Sequence, residues 1–215
     1  MKLFYDPIMI EAGVDEVARG CLLGRVYTCA VIWNKENDED IEHPLMKDSK
    51  QFKREKREEM AEYIKNYALD YCVTYNDENN IDEINILNAT FDSMHKSLDG
   101  LNIDIDNILV DGNRFKPYLS KNGDFVPHIC FEKGDTKYYA IAAASILAKV
   151  EHDNYIRDLC DKYPILQERY DLLNNMGYAT QKHIEGIQKY GISQFHRKTF
   201  GYFLQVGSIA TVLVN

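Results

Sequence analysis

Short apolar runs open the chain, and stretches of helical period follow and interleave with them. Residues 8–14 (IMIEAGV) predict a first strand. Residues 24–33 (GRVYTCAVIW), rich in β-branched and aromatic side chains, predict a second. The polar segment 34–44 predicts a loop. Met60, Ala61, Ile64 and Ala68 recur at helical spacing and predict a helix over 53–68. A third strand is predicted over 69–75. Asp82 is placed to cap the next helix, which carries Ile86, Leu87, Phe91, Met94 and Leu98. Residues 105–110 (IDNILV) and 125–131 predict two more strands. The clearest helix is 137–160, Ala-rich in its first half and ended by Pro164; small side chains let it lie close to a sheet. Residues 180–191 predict a last helix, closed by Gly191. From Tyr202 the tail is apolar, and its run 209–214 can dock on the domain or on a partner.

This order predicts a mixed β-sheet with helices on both faces, in one α/β domain spanning 1–215. Sites in open α/β sheets form outside strand ends. Asp15 and Asp111 fall at such ends, and Glu16 and Asp135 lie beside glycines as they do. Buried carboxylates without partners are costly, so several converging at strand ends imply divalent cations. Oxygen ligands imply Mg²⁺ or Mn²⁺, and the chemistry such sites usually run is phosphodiester hydrolysis. Each acidic residue has a plainer reading. Asp15-Glu16 can be a solvated turn, because adjacent strand residues face opposite ways. Asp111-Gly112 is a common turn signal, and Asp135 can cap the helix starting near Thr136.

Composition changes the picture little. Hydrophobic residues make up 45% and charged residues 27%, ordinary for a globular protein. The net charge of −9 argues mildly against a polyanionic partner. Its distribution reverses that: residues 47–57 (KDSKQFKREKR) carry six basic residues against two acidic, and Lys182, His183, Lys189, His196, Arg197 and Lys198 add a second basic stretch. The five cysteines show no C-x-x-C spacing and are expected as reduced core thiols in a cytoplasmic protein. No signal peptide or membrane span is expected, and a monomer is the default.

The strings AGVDEVARG, KDSKQFKREKR, NATFDSM, LVDGN, KGD with IAAASILAKVEHD, GYATQKH and FHRKTF occur in this order. Together they resemble ribonuclease HII, the type 2 ribonuclease H family, from about residue 9 to about 200. The resemblance implies an RNase H-like fold. It implies a metal-dependent endonuclease that cuts the RNA strand of RNA–DNA hybrids and incises duplex DNA at embedded ribonucleotides. Two Mg²⁺ or Mn²⁺ ions would be held by Asp15, Glu16, Asp111 and Asp135, with Asp153 supporting them from behind. The products would carry 3′-hydroxyl and 5′-phosphate ends. Substrate contacts are expected from Arg19 and Gly20, which match two-thirds of a Gly-Arg-Gly element, from Ala18 at its first position, and from Ser49, Lys50, Tyr178 and Arg197.

The chain departs from the family pattern beside the first motif. Ala18 stands for glycine, Cys21-Leu22-Leu23-Gly24-Arg25 stands for Pro-Leu-Ala-Gly-Pro, and Thr199 stands for serine. An alanine at 18 restricts φ to negative values, and its methyl is expected to crowd the contact beside the 2′-hydroxyl. The remaining alternatives are another two-metal nuclease or strand-transferase on the same fold, and a catalytically weak hybrid-binding relative.

Overall fold

The computed structural model describes residues 1–34, 46, 52–200 and 211–213. A five-stranded sheet is its centre, in the order β3-β2-β1-β4-β7. β1 (Glu11–Val17) pairs antiparallel with β2 (Val26–Trp33), which pairs antiparallel with β3 (Ala68–Asn76). On its other side β1 pairs parallel with β4 (Asn107–Asp111), and β4 pairs parallel with β7 (His128–Phe131). The mixed sheet expected from the element order is thus present.

β2 is buried at every position because a helix covers each face. Tyr27, Cys29, Val31 and Trp33 pack with α1 (Arg54–Tyr67) and α3 (Tyr139–Lys162). Ala30 and Ile32 point the other way, onto Met94 and Leu98 of α2 (Glu78–Asp99). This two-residue alternation makes β2 read as a continuous apolar run. α3 lies close on β1 because Gly13 has no side chain: a Cβ there would run into the backbone of Ala140 and Ile141. The alanines of α3 complete that contact.

The predicted boundaries move in four places. The first strand begins at Glu11 rather than residue 8, and Ile8 is 89% exposed. The Glu11 carboxylate instead accepts from the amides of Tyr5 and Asp6, pinning that stretch as a loop. Asp77, not Asp82, caps α2, accepting from the Asn80 amide. Asp82 lies inside the helix and accepts from the amides of Lys198 and Thr199. Pro127 splits the predicted strand 125–131: β6 (Phe125–Val126) forms a hairpin with β5 (Tyr118–Leu119), and only β7 joins the main sheet. Pro164 ends α3 but also starts α4 (Pro164–Tyr170), taking the first helical position where its missing N–H costs nothing.

α5 (Leu172–Asn175) and α6 (Gln181–Tyr190) follow, then β8 (Ile192–Ser193), which pairs parallel with β9 (Thr211–Val212). α4, α5, α6 and β8 cluster on the C-terminal half of α3 through Ile156, Leu166, Tyr170, Leu172, Ile187 and Ile192. Most of the predicted loop 34–44 and most of the tail from Tyr202 lie outside the described residues. Among the described residues no helix is long and apolar enough to cross a membrane.

Candidate active site

Asp15, Glu16 and Asp111 stand near one another at one end of the sheet, where β4 stops before β1 does. The β1–β4 register ends at Val14 with Val110, and β4 turns away after Asp111. β1 runs on to Val17 still paired with β2, which leaves a notch beside Asp15 and Glu16. Asp15 projects toward α3, where the Ser145 hydroxyl bonds it. Glu16 alternates to the other face, in register with Thr28, and lines cavities on both sides of the sheet edge. The notch resolves the alternation problem: a strand with no neighbour on one side lets side chains of both faces reach the same space.

Asp111 is fixed by the Gly134 amide, which donates to its Oδ1 at 2.6 Å. Gly134 opens a single 3₁₀ turn (Gly134–Thr136) between β7 and α3. That turn carries Asp135, which is buried and does not cap α3: the helix starts at Tyr139, and Tyr138 holds the cap position.

Burial pushes the Asp15 carboxyl well above the usual carboxylate range, and the charges of Glu16 and Asp111 add to it. Burial likewise raises Glu16, against the opposing Arg19 guanidinium. Like charges held in a desolvated notch are what a divalent cation relieves, and the donors are all oxygens. By that chemistry the set fits a hard cation. Its spacing is not closed: among the described residues no three His, Cys, Asp or Glu side chains stand as a ready-made coordination shell.

Beside the carboxylates lies a cavity of about 410 Å³ whose walls include Glu16, Arg19, Gly20, Arg57, Ser145, Lys149 and Tyr178. Tyr178 is 38% exposed. Its hydroxyl is tied back by the Ala18 amide and the Cys21 thiol, so the ring is held from behind. Arg19 reaches Glu16, Nη1 to Oε1 3.1 Å. Gly20 faces open space, where an added Cβ would meet no atom of the protein.

Two expectations about this region are corrected. Ala18 does not keep a negative φ; it sits at +68°, in the left-handed conformation that favours glycine. The residue borders the cavity but is only 2% exposed, so its methyl offers a ligand almost no surface to meet. Arg197, expected to contact substrate, is 0% exposed. Its guanidinium donates to the carbonyls of Gly24 (2.7 Å), Arg19 (3.0 Å) and Arg25 (2.9 Å) and so braces the loop between β1 and β2.

Asp153 stands one step behind the cavity. It accepts from Arg57 (3.1 Å) and Lys149 (2.6 Å), two of the cationic wall residues, and from His152 (3.1 Å). Burial alone would raise its carboxyl, but His152 and Lys149 hold it below the usual carboxylate range. Ser145, Lys149 and Arg57 were not singled out by sequence. A signal exists for two of them: Ser145, Lys149 and Asp153 recur every fourth residue and share one face of α3. Cys21 lies 3.9 Å from His152 Nε2, which gives a Cys-His-Asp alignment with Asp153. Burial pushes that thiol up to about 12, so it is inert as a nucleophile. Ser49 and Lys50 lie outside the described residues.

A family model described as Ribonuclease HII matches residues 12–202. A ribonuclease HII of Phocaeicola vulgatus is 44% identical over 197 residues, covering 92% of each chain. Among solved structures, the ribonuclease H2 from Pyrococcus horikoshii superposes with a TM-score of 0.72 at 27% identity, covering 92% of this chain and 96% of that one. The RNase HII of Archaeoglobus fulgidus, solved in a complex with PCNA, gives 0.68 at 25% identity, covering 89% and 95%. Fold and sequence together define an endonuclease of the ribonuclease H kind. The chain belongs to the ribonuclease HII family, the type 2 ribonucleases H.

Proposed function

We propose that this enzyme hydrolyses the RNA strand of RNA–DNA hybrids and incises duplex DNA at embedded ribonucleotides, leaving 3′-hydroxyl and 5′-phosphate ends. The observation that carries it is the notch of mutually repelling carboxylates opening beside a cavity walled by Tyr178 and three cationic side chains. Asp15, Glu16, Asp111 and Asp135 are the residues to hold two Mg²⁺ or Mn²⁺ ions. When bound, such ions offset the charge that develops on the attacking and leaving oxygens of an in-line displacement.

The other roles belong to the chain's own groups. Ser145 and the Gly134 amide orient Asp15 and Asp111. Lys149 and Arg57, aligned by Asp153, meet the phosphate backbone. The exposed Tyr178 ring packs on the sugar at the DNA–RNA junction. Gly20, with no side chain to interpose, lets the backbone approach the ribose closely. Arg19 contacts the backbone beside it, and Ser49 and Lys50 are assigned to phosphate contacts. The whole chain, 1–215, acts as one catalytic domain and as a monomer in a cytoplasmic compartment. The five unpaired thiols support a reducing setting.

The test is a cleavage assay on a hybrid, on duplex DNA with one ribonucleotide, and on plain duplex DNA, each with and without EDTA. Cutting of the first two substrates only, abolished by EDTA, is expected. Cutting of plain DNA, or activity that survives EDTA, would overturn the proposal.

A further inference from the structure

The segment from Ser193 to Arg197 does not itself line the cavity, yet it grips both elements assigned to reading the ribonucleotide. Arg197 holds the loop between β1 and β2 by three carbonyls, one of them that of Arg19. The Gly24 amide bonds the Phe195 carbonyl at 2.8 Å, and the Arg197 amide bonds the Leu22 carbonyl at 2.9 Å. The second grip runs through two histidines, both 0% exposed. The Ser193 amide donates to His196 Nδ1 at 2.9 Å, which makes that nitrogen an acceptor. His196 Nε2 therefore carries the proton and donates to His183 Nε2 at 3.1 Å. His183 Nδ1–H in turn donates to the backbone carbonyl of Tyr178 at 2.9 Å. The tautomers follow from the partners, and the relay runs in one direction without a conflict.

Buried polar relays cost desolvation, and an apolar pair would fill the same volume. What the relay adds is a directional bond at its far end. Tyr178 is thereby fixed at its carbonyl by His183 and at its hydroxyl by Ala18 and Cys21. Loop and tyrosine become one pre-assembled unit, anchored at the same five residues.

We propose that His183 and His196 are positioning residues for ribonucleotide recognition: they set the Tyr178 ring against the loop carrying Arg19 and Gly20, and thereby favour incision at a single embedded ribonucleotide. The inference rests on the proposed reading of such junctions. A lone ribonucleotide offers one productive register, so an ill-placed tyrosine is felt fully. A continuous hybrid offers neighbouring registers, and the loss is diluted.

The experiment compares His183→Leu with His183→Asn, whose side-chain amide can put an N–H where His183 Nδ1–H stands. Steady-state kinetics are measured on the hybrid and on the single-ribonucleotide duplex, with the melting temperature of each variant. His183→Leu is expected to lower kcat/KM on the single-ribonucleotide duplex about tenfold or more and on the hybrid far less, because small misplacements cost rate steeply. His183→Asn should recover most of that loss. In a Tyr178→Ala background His183→Leu should remove no further preference, since two residues acting through one group do not add. Equal losses on both substrates, no recovery with asparagine, or additivity with Tyr178→Ala would each overturn the inference. If His183→Leu does not fold, His196→Gln against His196→Leu carries the same comparison, because glutamine keeps a donor toward His183. Wild-type enzyme that cuts the hybrid but not the single-ribonucleotide duplex would instead overturn the proposed function.

Discussion

Arg19 reaches back three residues to pair with Glu16, Nη1 to Oε1 3.1 Å, so a residue assigned to substrate is docked on one assigned to cations. The guanidinium is about half exposed, and exposed pairs of this kind are worth about 0–1 kcal/mol. On the proposed roles, a cation bound at Glu16 would displace it and free it for the nucleic acid. Arg19→Ala should therefore tighten Mn²⁺ binding to the free enzyme by up to about fivefold, the equivalent of 1 kcal/mol. It should weaken hybrid binding at the same time. Calorimetric titration of Mn²⁺ without nucleic acid checks this; unchanged affinity would mean that the pair does not compete with the cation.

Asp15 sets stability against activity. Its folded-state carboxyl is raised by burial, then by Glu16 and Asp111. A group raised in this way contributes stability below its unfolded value, and that contribution is lost as pH rises through the folded one. Ionising Asp15 in the cation-free enzyme therefore works against the fold. Asp15→Asn should abolish cleavage yet melt higher than the cation-free wild type, by about 2–4 °C for each kcal/mol of repulsion removed. Mn²⁺ should raise the wild-type melting temperature and leave that of the variant nearly unmoved. A variant that melts lower would show that the charge is not a burden.

Three buried histidines give the opposite pH dependence. His152, His183 and His196 are all held below the ordinary histidine value, chiefly by burial. Asp153 and Lys149 face the first; the other two face each other and the ring of Tyr170. Their stability is complete above the unfolded value of about 6.5 and is lost as pH falls below it toward the folded values. Each proton taken up only by the unfolded chain costs about 1.4 kcal/mol per pH unit. Urea unfolding of Asp15→Asn at pH 7.5 and 5.5, a background in which the raised Asp15 cannot mask the trend, should show the loss. Equal stability at the two pH values would mean that the histidines are charged inside the fold.

Ala18 holds a left-handed φ of +68°, which costs an L-residue about 1–2 kcal/mol against the right-handed region. Ala18→Gly should relieve part of that strain and offset it with greater unfolded-chain freedom, for a net gain of about 1 kcal/mol or less. Because the residue is almost fully buried, the rates on a hybrid and on a single-ribonucleotide duplex should change by the same factor. A selective rise on the single-ribonucleotide duplex would put the methyl at the contact after all.

Periodicity alone placed α1, β3 and α6 within one or two residues, because the faces they bury lie against neighbours that demand a regular repeat. It misplaced β1 by three residues. Ile8 and Met9 look like core and are exposed, since Glu11 ties the preceding loop to its own carboxylate. Asp82 reads as a cap for a similar reason: it is an acidic residue just before the apolar repeat, but the helix starts earlier, capped by Asp77, and Asp82 is engaged by Lys198 and Thr199, 116 and 117 residues away.

The amino-acid order by itself determined most element types and the family, since these are written in local period and in motifs of a few adjacent residues. Only the tertiary structure decided how those residues stand. It let Asp15 and Glu16 meet from opposite faces, because β4 ends early beside β1. It put Ala18 in the left-handed region and buried it. It took Arg197 from the surface to three carbonyls up to 178 residues away, and it linked His196 to Tyr178 through His183. The physical reason is common to all of these: a hydrogen bond or a burial between distant segments depends on how whole elements pack, and no local spacing encodes it.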